Sequence, residues 1–93
     1  MDVEFYDNRN KFYRAEIKIC HGIGTTRAIR EALGQLFEYN YYGLRKPADE
    51  WGIVINEKPS ERDIQFIKCL NTKLNFPLHL WWFEEDEFKF LQI

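Results

Sequence analysis

The chain has 93 residues, of which 45% are hydrophobic and 17% aromatic; it is long enough for one domain with a real core and too apolar for a disordered segment. Its formal charge of −2 lacks the basic footprint of a dedicated DNA-binding domain, although a site that binds cations can sit in a near-neutral chain. No apolar run reaches the ~18 residues of a membrane span, the opening Met1-Asp2-Val3-Glu4 is not a signal peptide, and Cys20 and Cys69 have no CxxC spacing, so a cytoplasmic setting without a zinc site is predicted.

Residues 2–7 and 11–19 alternate with a period of two, which predicts two strands. Val3, Phe5, Tyr13, Ala15, Ile17 and Ile19 share the odd, mostly apolar face; Asp2, Glu4, Arg14, Glu16 and Lys18 share the even, charged one. Between them Asn8-Arg9-Asn10 tolerates left-handed backbone and predicts a three-residue hairpin loop. That loop pairs Asp7 with Lys11, Phe5 with Tyr13 and Asp2 with Glu16. A slip of one residue would move Asp2 to the apolar face.

Gly22 and Gly24 mark a loop over 20–25. Thr25 or Thr26 is then expected to cap a helix running to about Tyr42, with Ile29, Ala32, Leu33, Leu36, Phe37 and Tyr41 at helical spacing and Gly43 closing it. Residues 44–50 read as a polar loop with Pro47, and Trp51 to Ile55 as a short buried strand. Pro59-Ser60 with Asp63 has the form of a capped helix start, and Ile64, Ile67, Leu70 and Leu74 continue that helix until Pro77 stops it. Leu78 to Phe83 reads as a strand, Glu84-Glu85-Asp86 as a turn, and Phe88 to Ile93 as a terminal strand. The order β-β-α-β-α-β-β predicts one mixed-sheet α/β domain over residues 1–93.

The triplet Glu16-Ile17-Lys18 carries the candidate chemistry. An acid two before a lysine occurs about once per hundred residues at average composition, and Glu87-Phe88-Lys89 is a second copy. Only the first has an opposed acid and a following helix. Directly opposed residues of an antiparallel pair have Cβ atoms ~5 Å apart, so Asp2 and Glu16 repel unless a cation lies between them. Magnesium suits such hard oxygen ligands, with the Ile17 carbonyl as a third. Lys18 points to the same face and is placed to orient water or stabilise phosphate charge. Gln35 and Tyr39, four apart, form one helix face toward this pair. Glu31, four before Gln35, is a further candidate; His21 is a lone loop histidine and is assigned nothing.

Asp2, then Glu16-x-Lys18, then Gln35-Leu36-Phe37-Glu38-Tyr39 on the next helix resembles the PD-(D/E)xK nuclease superfamily, and the Q-L-x-x-Y helix resembles its RecB-like branch. The resemblance covers roughly residues 2–56. It implies a restriction-endonuclease-like core and a Mg²⁺- or Mn²⁺-dependent nuclease, with DNA ahead of RNA. Asp2 and Glu16, with Ile17, would be metal ligands, Lys18 would assist water, and Gln35 and Tyr39 would position metal, water or strand. The family's core has a helix and a strand before the first acid; here the first acid is residue 2, which predicts a trimmed fragment, elements that are dispensable, or elements supplied by a partner subunit.

Alternative readings stay open on the same residues. Asp2 and Glu16 can be acids of a solvated face, with Arg14 and Lys18 paired to Glu4 and Glu16 across the strands. The C-terminal aromatics, from Trp81 to Phe90, can make core or, with Trp81 or Trp82 facing outward, a homodimer interface. A catalytically inactive nuclease-like interaction or dimerisation module is the competing function.

Overall fold

A computed structural model of the chain describes residues 1–43, 45–74 and 77–91. Its elements are β1 (Asp2–Tyr6), β2 (Phe12–Lys18), α1 (Thr25–Tyr41), β3 (Glu50–Ile55), α2 (Glu61–Lys73), β4 (Leu78–Glu84) and β5 (Glu87–Phe90). The five strands form one mixed sheet in sequence order. The end pairs β1–β2 and β4–β5 are antiparallel hairpins; β2–β3 and β3–β4 are parallel, each joined by a helix, as parallel neighbours require. The domain is therefore α/β, as the order of elements predicted. The expected terminal strand is four residues long here, and Gln92 and Ile93 lie outside the described residues.

The first hairpin takes the register set by its alternation, with Asp2 opposite Glu16, Glu4 opposite Arg14 and Phe5 opposite Tyr13. The Asp7 side chain accepts the Arg9 and Lys11 backbone N–H groups at 2.8 and 3.0 Å, and Asn10 adopts a left-handed φ of 66°. An Asx-type turn thus fixes the pairing that brings Asp2 to Glu16.

The faces are used differently from a simple apolar-inward strand. On the helix side, Ile29, Ala32 and Leu36 of α1 and Ile67 of α2 pack with Ile53, Ile55, Leu78, Leu80 and Trp82. To this same side β2 contributes Arg14 and Glu16, both fully buried. The apolar residues of the first hairpin turn to the opposite face, where no helix of the described residues lies. There Val3, Phe5, Ile17, Val54, Phe83 and Phe88 line an open groove of about 330 Å³. The Trp81 ring closely approaches Gly52 on this face: an ideal Cβ at residue 52 would sit 2.1 Å from the Trp81 ring, so the contact needs glycine. Phe37 and Tyr41, read as apolar positions of the helix, are 41% and 63% exposed; their rings contact each other and Trp51.

Ser60 and Asp63 make the predicted reciprocal cap of α2. The threonines do not cap α1. Gly24 is its N-cap, and the Thr25 and Thr26 hydroxyls donate to Asp63 at 2.5 and 2.6 Å. Gly24, at φ 88°, already turns the chain into the helix, and the threonine hydroxyls, which as caps would accept from helix N–H groups, instead donate to a buried carboxylate, a charge-assisted bond. Burial pushes the Asp63 carboxyl up, but the bonds from Thr25, Thr26 and Ser60 outweigh it and hold the group below its ordinary 3.8.

Asp63→Ala removes one cap and leaves two hydroxyls without their acceptor, a cost of about 2–3 kcal/mol. The expected fall in Tm at pH 7 is about 10 °C or more for a domain of this size. Because the folded pKa is depressed, the carboxylate's contribution is complete above pH 3.8 and is lost as pH falls through the folded value. Thermal melts from pH 7 to pH 2 should show the wild-type and Asp63→Asn curves converging at the acid end. A gap independent of pH would show that ionised Asp63 stabilises nothing.

Candidate functional site

The hairpin and α1 bring the predicted residues together. Glu16 sits at the centre, 0% exposed, between the sheet and the helix. The Tyr39 hydroxyl donates to Glu16 Oε2 at 3.5 Å, and Lys18 Nζ donates to Gln35 Oε1 at 3.0 Å. Lys18 also lies 3.4 Å from Glu31, so it pairs with the helix rather than with Glu16 across the strand. Arg14 does make the cross-strand pair: its guanidinium donates to Glu4 Oε2 and, at 2.8 Å, to Asn40 Oδ1.

Glu16 Oε1 is buried and accepts no hydrogen bond among the described residues. Its partner is a cation, the Met1 ammonium at 2.8 Å, held as an ion pair rather than as a well-directed hydrogen bond. The same ammonium donates to the Ile17 carbonyl at 3.4 Å. Two of the three oxygen donors proposed for a metal therefore already converge on one positive charge. Asp2, the third, faces Glu16 in the ladder but turns its Oδ2 to Arg45, 2.6 Å away. Arg45 also contacts Glu4 and stacks over the Tyr39 ring at 5.1 Å.

The environment sets the protonation of two neighbours. Hydrogen bonds from Arg14, then Arg45, hold the Glu4 carboxyl below the usual range. Burial, then the Glu16 charge, pushes the Tyr39 hydroxyl up, so Tyr39 stays a neutral donor. Among the described residues no group of three or more His, Cys, Asp or Glu side chains is placed to share a metal. The Glu16 carboxylate and the Ile17 carbonyl are hard oxygen donors that already face one positive charge, the Met1 ammonium, while the Asp2 carboxylate is held by Arg45.

Asn40, Arg45 and the Met1 amine are site groups that the sequence reading missed. Asn40 accepts from Arg14 and from the Ala48 N–H, tying β2, α1 and the loop before β3 together. A buried asparagine near a helix end is the signal that could have found it. Arg45 arrives from a polar loop with no periodicity to predict its reach. Beside it opens a cleft of about 510 Å³ lined by Glu4, Tyr6, Phe12, Arg14, Arg45 and Lys46. The Lys46 ammonium lies over the Phe12 and Tyr6 rings at 5.2 and 5.8 Å, so cations and aromatics border the acidic pair.

No protein-family model matches the chain, and neither a curated protein nor a solved structure matches it. Among the described residues no helix is long and apolar enough to cross a membrane.

Proposed function

We propose that the chain is a metal-dependent phosphodiesterase of the PD-(D/E)xK type, with a restriction-endonuclease-like core, acting on nucleic acid and on DNA before RNA. The carrying observation is the buried Glu16 carboxylate, which shares a cation with the Ile17 carbonyl while Lys18 and Gln35 meet beside it. Asp2, Glu16 and the Ile17 carbonyl would hold Mg²⁺ or Mn²⁺, and the ion would supply charge to polarise the phosphate and acidify a bound water. The chain's own groups do the rest. Lys18, anchored by Gln35, presents an ammonium toward phosphate oxygen; Tyr39 donates to Glu16 and fixes its orientation; Arg45 and Lys46 supply positive charge for the flanking backbone.

The test is cleavage of single- and double-stranded DNA and of RNA with Mn²⁺ or Mg²⁺, comparing the wild type with Lys18→Ala. Loss of one positioned cation is expected to slow cleavage by at least about 100-fold. Equal rates for the two proteins would end the assignment of Lys18, and no cleavage by either would end catalysis by this chain.

A second reading, an inactive interaction or homodimer module, is favoured by one observation. The open face across the sheet is apolar, with Phe5, Phe83 and Phe88 40%, 49% and 51% exposed. Contiguous apolar surface of this kind marks an interaction site. Light scattering on a sizing column would report a dimer for the wild type and a monomer for Phe88→Glu. A wild-type monomer that cleaves DNA would discard this reading.

A further inference from the structure

On the side of α1 away from Glu16, a cleft of about 260 Å³ opens between the two helices, lined by Thr26, Ile29, Arg30, Arg62, Asp63 and Phe66. Ile29 is buried, whereas Phe66 leaves 41% of its surface exposed at the rim. Arg30 comes from α1 and Arg62 from α2, and both are exposed. Among the described residues neither guanidinium has an ion pair or a hydrogen bond, unlike Arg9, Arg14, Arg27 and Arg45. The acid in the cleft, Asp63, is already saturated: Thr25, Thr26 and the Ser60 N–H donate to its oxygens. The cleft thus presents two uncommitted forks, each shaped for phosphate oxygens, and one aromatic ring.

From this we infer that the Arg30–Arg62 cleft is a subsite for the backbone of a single nucleic-acid strand, gripping phosphate with the two arginines and stacking a base on Phe66. Phosphate plus an exposed aromatic is the combination by which single strands are held without sequence readout. The inference deepens the nuclease reading and rests on it for the choice of nucleic acid over other phosphates.

Binding is measured by fluorescence anisotropy with a labelled twelve-nucleotide oligo-dT in EDTA, so that no cleavage intervenes. Relative to wild type, Arg30→Gln/Arg62→Gln should bind at least about 10-fold more weakly, and the slope of log K against log salt should flatten by about 1.4 for two phosphate contacts. Phe66→Ala should weaken binding by about 5-fold or more. Circular dichroism melts verify folding of each variant; if the double variant does not fold, Arg62→Gln alone should still weaken binding several-fold and flatten the slope by about 0.7. Unchanged affinity and salt slope in the arginine variants, or no binding by the wild type, overturns the subsite.

The two readings fail separately. Arginine-dependent binding by a protein that never cleaves with Mn²⁺ would sink the nuclease and keep the subsite. Cleavage with affinity indifferent to Arg30 and Arg62 would do the reverse.

Discussion

Glu16→Gln is expected to abolish the thermal stabilisation of this domain by Mn²⁺ and to cut DNA cleavage by at least about 100-fold. Two effects combine in the size of that change. Charge stabilisation by a bound metal is worth several kcal/mol, and about 3 kcal/mol corresponds to roughly two decades in rate. A ligand that binds only the folded state adds about 2.7 kcal/mol of stability at 100 times its Kd, which is about 10 °C or more in Tm for a chain of this length. Glutamine keeps the volume and one acceptor oxygen but not the charge, so the Mn²⁺-dependent rise should vanish while the metal-free melt stays measurable. Calorimetry in EDTA and in millimolar Mn²⁺ separates the two. An equal Mn²⁺ shift in wild type and variant would remove Glu16 from any metal site. Absence of a shift in both would leave Glu16 as the partner of the Met1 ammonium and the Tyr39 hydroxyl, with no metal role.

Arg14→Ala is expected to be the most damaging single change to the fold near this site. Arg14 is 2% exposed and bridges Glu4 on β1, Asn40 on α1 and the Tyr39 carbonyl. Its removal deletes a buried aliphatic stem and charge-assisted bonds together, about 3 kcal/mol in all. The expected fall in Tm is about 12 °C or more. Arg14→Met retains the stem and should recover part of that loss; Arg14→Lys keeps the charge but not the fork, and should fall short of wild type. Denaturant melts that place Arg14→Met level with wild type would show that packing alone, and not the guanidinium network, secures the strand.

Much of this domain was readable from the residue order. The period of two in residues 2–7 and 11–19, with Asn8-Arg9-Asn10 between, fixed the hairpin register to the residue, because any one-position slip exchanges the two faces. The Ser60–Asp63 cap was equally legible, since both its partners lie within four residues. The spacing of Gln35 and Tyr39 likewise put both on the side of α1 that meets β2. What escaped was how deeply the charged face of the first hairpin would be buried, with Arg14 and Glu16 both fully covered. A strand with one charged and one apolar face is ordinarily buried by its apolar side. Here the charged side went under α1 because Asn40, Tyr39 and Arg45 satisfy Arg14, Glu16 and Glu4, and those partners lie more than 20 residues along the chain. Thr25 and Thr26 were misassigned for the same reason: their acceptor, Asp63, belongs to another helix.

The order of the strands has one more consequence. The sheet ends on β1 and β5, five and four residues long, and each already spends one side on its own hairpin partner. The free ladder at either margin is thus only five or four residues long, a short template for lateral growth, strand against strand into a continuous ribbon. If the bare faces of two copies were to stack, that broadside geometry would close after two members instead of propagating into a fibre.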